Sequence, residues 1–324
     1  MRGSILVMIS RARFLRRYVG RPFLLVNEWI WCRLPSFVIK SGRVSLYGSF
    51  LHSLVKLRST RTQVHGTFFF RNRPELQMIL ALVKERPKGS TLRISVLACS
   101  NGAEVYSIIW TIRSARPDLK IILHAVDISE DILEMARAGR YLAEANDLVN
   151  SPIFDRITEE ELQGMFDLEN GKFVIKPWLK EGIKWEVGDA ADPKLLEVLG
   201  EQDIVVANKF LCHMEPYNAE KCLRTLARLV KPGGYLFVSG VDLEVRTKVA
   251  LDLGWTAVRD LIDEMHDGDP SVRQDWPWRY WGLEPFDQKR KDWSIRYASV
   301  FQIGEREPAV TPELSCCSSM RCED

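Results

Sequence analysis

No stretch of this 324-residue chain approaches the roughly 20 consecutive apolar residues of a membrane-spanning helix. The run Ile5 to Ile9 is five residues long, too short for the apolar centre of a signal peptide. Seven cysteines are present (Cys32, Cys99, Cys212, Cys222, Cys316, Cys317 and Cys322), but no CxxC pair is matched by a second, so no metal site is expected. An odd cysteine count without a secretion signal fits a reducing compartment, and the cytoplasm is the expected location. No GxGxxG follows an apolar run, which removes the usual cradle for a dinucleotide pyrophosphate.

Acids are nearly absent from the first 73 residues, which hold 14 Lys/Arg and only Glu28, about +13. The remaining 251 residues hold 31 Lys/Arg and 42 Asp/Glu, or −11. Residues 1–73 therefore either meet something anionic or neutralise the acidic body of their own chain. Phe14 to Trp31 mixes arginines with Tyr18, Phe23, Trp29 and Trp31, which suits either an anionic membrane surface, touched peripherally, or a helix packed on the domain. Pro22 interrupts a single long helix there. No nucleic-acid partner is expected.

The informative stretch is Arg93 to Tyr141. Ile94 to Ala98 reads as a buried strand, Ser100-Asn101-Gly102 as a turn, and Tyr106, Ile109 and Ile112 as the inner face of a helix. Ile121 to Val126 is a second strand, ending in Asp127. A second helix follows, with Ser129 as N-cap and Ile132, Leu133 and Met135 inward. Strand, turn, helix, strand and acid begin a doubly wound sheet, whose ligand lies over the first turn. Asp127, 25 residues beyond Gly102, is spaced to accept hydrogen bonds from two ribose hydroxyls. One glycine instead of three favours S-adenosylmethionine, which carries no phosphate, over a nicotinamide cofactor. The alternative is an ordinary α/β sheet with a chance acid at a strand end.

The segment ACSNGAEVYSI, followed by AVDISEDILEMARAGRY, resembles the chemotaxis-receptor glutamate methyltransferases of the CheR type. Those proteins carry a small-residue turn, Gly-Glu-Glu-Pro-Tyr-Ser, then Asp-Ile-Asp and a helix ending Ala-Arg-x-Gly-x-Tyr. Upstream, Thr67-Phe68-Phe69-Phe70-Arg71 resembles the family's Thr-x-Phe-Phe-Arg; downstream, Ile157 to Phe166 and Phe173 to Asp189 resemble its inserted subdomain and third core strand. The resemblance spans roughly residues 65 to 240. It implies a class I methyltransferase sheet that binds S-adenosylmethionine. By it, the Thr67 to Arg71 segment folds over the cofactor, with Arg71 and Thr67 suited to the methionine carboxylate and the phenylalanines walling off water. A plain aromatic core segment is the other reading of those residues. Glu104 matches the family's second Glu, which implies contact with the cofactor's cationic portion; an acid in the first turn of a helix also has a purely dipolar role. Asp189 and Ala190 match the positions that face the adenine amino group.

The chain departs from the family at the fourth strand tip, Asn208-Lys209-Phe210-Leu211-Cys212-His213. Asn208 stands in the family's Arg position, Lys209 in its Asn position and His213 in its Tyr position. A glutamate carboxylate needs no base, whereas a hydroxyl acceptor does, and His213 is the candidate. It is otherwise a histidine packed under the cleft wall. Cys99 and Cys212, at strand ends, are expected to line or back the cleft as small apolar residues. Trp276, Trp278, Tyr280, Trp281, Phe286 and Trp293 suit closure over a flat acceptor or packing on the basic segment, and Ser294 to Ile303 reads as a final strand.

The expected architecture is a doubly wound α/β class I methyltransferase sheet (Rossmann-like) with a small inserted subdomain and a basic, mainly helical N-terminal segment. Its expected parts are residues 1–64, a basic segment; 65–304, the S-adenosylmethionine-binding domain with an insert at about 142–182; and 305–324, a disordered tail. The expected cofactor-binding residues are Thr67, Arg71, Gly102, Glu104, Asp127, Asp189, Ala190 and Asn208, with His213 catalytic. The expected activity is methyl transfer to an acceptor oxygen, a protein glutamate by family resemblance. The alternatives are a hydroxyl on a glycan, lipid or small metabolite, and a non-catalytic S-adenosylmethionine-binding or docking module.

Overall fold

Long β-branched runs buried on both faces make the centre of a parallel sheet. The computed structural model describes residues 20–35, 38, 42–56, 66–142, 153–268 and 286–304. The tail 305–324, residues 1–19 of the basic segment, residues 143–152 at the start of the insert and the aromatics Trp276, Trp278, Tyr280 and Trp281 lie outside the described residues. Before the sheet come α1 (Gly20–Trp31), α2 (Gly42–Lys56) and α3 (Arg73–Lys84). Then follow β1 (Thr91–Leu97), α4 (Ala103–Ala115), β2 (Lys120–Asp127), α5 (Glu130–Ala138) and β3 (Arg140–Leu142). The insert supplies α6 (Glu159–Met165), β4 (Phe166–Glu169), β5 (Lys172–Ile175) and α7 (Pro177–Lys180). The chain returns through β6 (Ile183–Val187), α8 (Leu195–Leu199), β7 (Gln202–Asn208), α9 (Pro216–Leu226) and β8 (Val230–Ser239). It ends with α10 (Leu243–Asp252), β9 (Thr256–Ala257), α11 (Ile262–Asp267), α12 (Trp293–Tyr297) and β10 (Val300–Gln302).

The main sheet has the order β6-β2-β1-β7-β8-β10-β9, and β3-β5-β4 form a separate small sheet. Strands β6, β2, β1, β7 and β8 are parallel, and β10 runs antiparallel to both β8 and β9. Strand order reverses between β1 and β7, so the crevice at the carboxyl ends of these two strands is where a ligand is expected. All seven residues of β7 are buried. One face packs against α3, α4 and the insert, the other against α8, α9, α10 and α12.

Local chemistry sets the helix starts near the crevice. Asn72 caps α3, its Oδ1 accepting from the Glu75 N–H, and Pro74 occupies the first turn, where its missing N–H costs nothing. Thr158 and Glu161 form a reciprocal capping box on α6, and Glu161 also pairs with Arg73 at 2.7 Å.

Three local expectations are corrected. Met135 is 53% exposed, and Ala136 takes the inward position, because α5 buries Ile132, Leu133 and Ala136. Ser129 makes no side-chain cap; its N–H donates instead to Asp127 Oδ1 at 3.1 Å. Ser294 to Tyr297 is helical rather than strand, since α12 seats Tyr297 in the core beside His266 and Phe286, and only Val300–Gln302 pairs with β8.

Candidate active site

The β1–α4 turn is held from behind. The Tyr106 hydroxyl donates to the Ala136 carbonyl at 2.7 Å, and the Tyr141 hydroxyl donates to the Asn101 carbonyl at 2.8 Å. Gly102 adopts φ 84°, and a Cβ there would come within 3.1 Å of both Ala136 and Trp185. This glycine is required by packing on the back of the turn, and it does not line the crevice. Ala98 and Ser100, both non-glycine, take φ of 54° and 50°, an arrangement the surrounding structure must enforce.

A cavity of about 310 Å³ lies at the carboxyl end of the sheet. Its walls include Thr67 and Arg71 from the segment before α3, Glu104 from α4 and Asp127 from β2. Asp189 and Ala190 follow β6, and Asn208 and His213 come from the tip of β7. The structure therefore brings eight of the nine residues singled out from sequence to one cavity, Gly102 being the one it leaves behind the wall.

Asp127 is buried, and its two oxygens accept the Ser100 N–H at 2.8 Å and the Ser129 N–H at 3.1 Å. A carboxylate has about four lone-pair sites, so acceptor capacity remains on the cavity side. Asp189 is more exposed, one oxygen taking the Ala191 N–H at 2.8 Å in a local turn. Burial pushes the Glu104 carboxyl above its ordinary range; the Asn208 amide, Arg71 and Lys209 offset this only in part. Asn208 donates through its amide to Glu104 at 2.8 Å and to Glu75, while its own oxygen accepts from the Ser239 hydroxyl at 2.7 Å. Lys209 has φ 61°, and its backbone lies so close to Gly240 that a Cβ at 240 would stand 2.6 Å from its Cα. That approach turns the strand tip so that Lys209, Phe210 and His213 face the cavity.

The Phe68–Phe70 run has a different role from the expected water barrier, because none of the three lines the cavity. Phe69 packs on Tyr141, Phe154 and Phe166 of the insert at centroid distances of 5.2–5.4 Å. The Phe70 N–H donates to Ser107 Oγ of α4 at 3.0 Å. The aromatics anchor the segment to both neighbours, and that anchoring presents Thr67 and Arg71. The Arg71 guanidinium lies 5.2 Å from the Phe68 ring and donates to the Gly66 carbonyl at 3.2 Å. Cys99 and Cys212 back the crevice without lining it, and burial together with Asp127 and Glu104 pushes the Cys99 thiol well up, away from nucleophile chemistry.

Sequence reasoning missed Glu75 and Ser239 in the polar network and Ser100, Phe210 and Met214 in the wall. Glu75 reads from sequence as an ordinary first-turn acid. The one signal available was its place four positions after Arg71, across the start of α3, which puts it near the same site. Among the described residues no cluster of side chains suits a metal ion.

This strand order, with an acid at the end of β2 and a cavity over the switch point, is that of a doubly wound nucleotide-binding α/β domain. The chain belongs to the CheR methyltransferase family: residues 65–248 match the family described as "CheR methyltransferase, SAM binding domain". It is 25% identical over 185 residues to chemotaxis protein methyltransferase 2 of Vibrio cholerae, covering 54% of this chain and 61% of that protein. It is 29% identical over 173 residues to chemotaxis protein methyltransferase Cher2 of Pseudomonas putida, covering 51% and 59%. The probable biofilm formation methyltransferase WspC of Pseudomonas aeruginosa matches at 26% over 184 residues, covering 55% and 42%. The chain thus spans less than two thirds of the length of each of these relatives. Among solved structures, magnesium protoporphyrin IX methyltransferase from Synechocystis shares 15% identity at a TM-score of 0.33, over 66% of this chain and 87% of that one.

Proposed function

We propose that this chain is an S-adenosylmethionine-dependent methyltransferase that modifies an acceptor oxygen, with a protein glutamate carboxylate as the acceptor. The observation that carries this reading is the single cavity at the β1–β7 switch point into which Arg71, Glu104, Asp127 and Asp189 all open. The residues suit the cofactor piece by piece. Asp127 accepts the ribose hydroxyls on its remaining lone pairs, and Asp189 beside Ala190 receives the adenine. Arg71, with Thr67, faces the methionine carboxylate, and Glu104 faces its ammonium group, with Asn208 holding Glu104. Bound there, S-adenosylmethionine supplies a methyl group on a sulfonium, open to in-line displacement by an acceptor oxygen. The protein's contribution is alignment and exclusion of water, since the methyl donor is intrinsically reactive. A carboxylate acceptor arrives ionised at neutral pH, and Lys209 at the cavity wall offers it a cation.

His213 favours a second reading, because it lines the same cavity between Phe210 and Met214. There it accepts the proton of a hydroxyl acceptor on a glycan, lipid or small metabolite. Incubation of the full chain with methyl-labelled cofactor and candidate acceptors, followed by alkali, separates the two. Volatile methanol marks a carboxyl ester, and a base-stable label marks an ether and the second reading. His213→Ala then loses turnover with affinity for S-adenosylhomocysteine retained if His213 is the base. No binding of S-adenosylhomocysteine by calorimetry would sink both readings, and binding without turnover on any acceptor would leave a non-catalytic module.

For the N-terminal segment we propose peripheral contact with an anionic surface such as a membrane. No helix among the described residues is long and apolar enough to cross one. On α1, Leu25 and Trp29 are 57% and 60% exposed, and Arg33 stacks on Trp29 at 4.0 Å. Co-sedimentation with phosphatidylserine vesicles but not with phosphatidylcholine vesicles is the expected result; sedimentation with neither overturns it.

A further inference from the structure

We propose that Glu75 is a positioning residue of the cofactor site: from the first turn of α3 it holds the Asn208 amide, and through that amide the Glu104 carboxylate, against the cavity. The inference rests on the reading that Glu104 faces the cationic end of the cofactor.

Glu75 is 5% exposed, although an acid in a first helical turn can satisfy the helix dipole from solvent. Burying it next to a second acid is costly, so helix stability alone does not account for its placement. The geometry supplies the reason. The Asn208 side-chain nitrogen has two hydrogens; one goes to Glu75 Oε1 and the other to Glu104 Oε1. The Asn208 oxygen accepts from Ser239 Oγ. With these three partners the amide has one orientation: turned over, it would set its oxygen against two carboxylates and lose both charge-assisted bonds. Glu75 and Ser239 do not line the main cavity, whereas Glu104 and Asn208 do. The route from Glu75 to a ligand runs through Asn208. The charges of Arg71 and Lys209 also act on the Glu104 carboxylate, and the Asn208 amide is the hydrogen bond that fixes its orientation beside them. Without Glu75 the amide keeps one charged partner instead of two, and Glu104 is free to swing toward Arg71 or Lys209.

The test is calorimetric titration of the full chain with S-adenosylhomocysteine, alongside thermal melting of each variant. Glu75→Ala is expected to weaken binding about tenfold, the scale of one hydrogen bond to a charged group. Glu75→Gln keeps an accepting oxygen and is expected to return affinity to within about threefold of the parent. The deciding measurement is the double-mutant cycle, in which Glu75→Ala added to Glu104→Ala changes affinity no further. A packing role for Glu75 predicts the opposite, an equal loss in both backgrounds and no rescue by Gln, and that result overturns the proposal. So does an unchanged affinity in Glu75→Ala with melting intact. If Glu75→Ala does not fold, Glu75→Leu, which fills the space without accepting a bond, is put through the same cycle with the same expectations. Should Glu104→Ala alone leave affinity unchanged, it is the reading of Glu104 that falls; should Glu104→Ala weaken binding while Glu75→Ala does not, only the present inference falls.

Discussion

Buried carboxylates gather at both ends of β7, and the two ends treat them in opposite ways. At the start of the strand Asp203 is 6% exposed and fully answered: Arg86 at 2.9 Å, the Arg93 N–H at 2.8 Å, and Lys231 all converge on it. Burial pushes this carboxyl up, but the Arg93 N–H and the two cations outweigh it and hold the group below its ordinary range. At the tip, five residues on, Asn208 gathers two acids, Glu75 and Glu104, and burial of Glu104 wins over the partners that oppose it. One end of the strand spends its charges on stability. The other keeps a carboxylate under-compensated where a cationic ligand group is expected, and such a site is stabilised by its ligand more than by its own contacts.

The largest effect that can break this comparison is at the start of the strand. Asp203→Ala removes one acid from beneath two cations and a backbone N–H, and is expected to cost about 3 kcal/mol of folding free energy. In a chain of this size that lowers the melting temperature by several degrees. S-adenosylhomocysteine affinity of the folded protein should not move, since Asp203 lies at the opposite end of the sheet from the cavity. A melting curve like the parent's would show that this end is not the stabilised one.

The next effect is at the end of β2. Asp127→Ala takes from the cavity the acid proposed to face the ribose and strands the Ser100 and Ser129 N–H groups. Affinity for S-adenosylhomocysteine is expected to fall about a hundredfold, more than the melting temperature of the ligand-free protein suggests, because two ligand hydrogen bonds to a charged group are lost together. Calorimetry on Asp127→Ala and Asp203→Ala side by side sharpens the contrast: both should lose stability, because each strands backbone N–H groups, but only Asp127→Ala should lose binding. Loss of binding in folded Asp203→Ala as well would dissolve the distinction between the two ends.

What the sequence made legible follows the same division. The core strands were readable because parallel strands buried on both faces are written as unbroken apolar runs, and Ile94 to Ala98 and Ile121 to Val126 are such runs. Asp127 was readable because an acid ending an apolar strand has few structural uses. The packing demand on Gly102 was not legible, because a glycine needed for ligand approach and one needed for packing against Trp185 look alike in sequence. The three phenylalanines misled for a related reason: hydrophobicity says that Phe69 is buried, but not whether a cavity or the insert covers it. Glu75 was illegible because its partner, Asn208, lies 133 positions away, and nothing local distinguishes a helix-start acid that faces solvent from one that turns inward. Met135 was misplaced by one position because the inward stripe of a short helix can be drawn through either Met135 or Ala136, and α5 buries the smaller residue.

The smallest effect is also the one with opposite sign at the two ends. Asp203 has a folded-state pKa below its unfolded value, so its contribution is present above the ordinary carboxylate range and is lost as pH falls through the folded pKa. Glu104 has a folded-state pKa above its unfolded value, so it favours folding in acid and that contribution disappears as pH rises through the folded pKa. Asp203→Asn should therefore show its largest deficit in melting temperature near neutral pH, with the gap to the parent closing only as pH falls below the ordinary carboxylate range. Glu104→Gln should do the reverse in the ligand-free protein: near neutral pH it melts slightly above the parent, by the equivalent of about 1 kcal/mol or less, and the two curves meet in acid. On the proposed placement of the ammonium group beside Glu104, the same variant is expected to lose affinity for S-adenosylhomocysteine, because a neutral amide attracts a cation less. A gain in stability coupled to a loss in binding is the signature of a carboxylate kept for its ligand. If Glu104→Gln instead melts below the parent near neutral pH, the tip of β7 is a stabilising network like its start, and the asymmetry along the strand is one of position only.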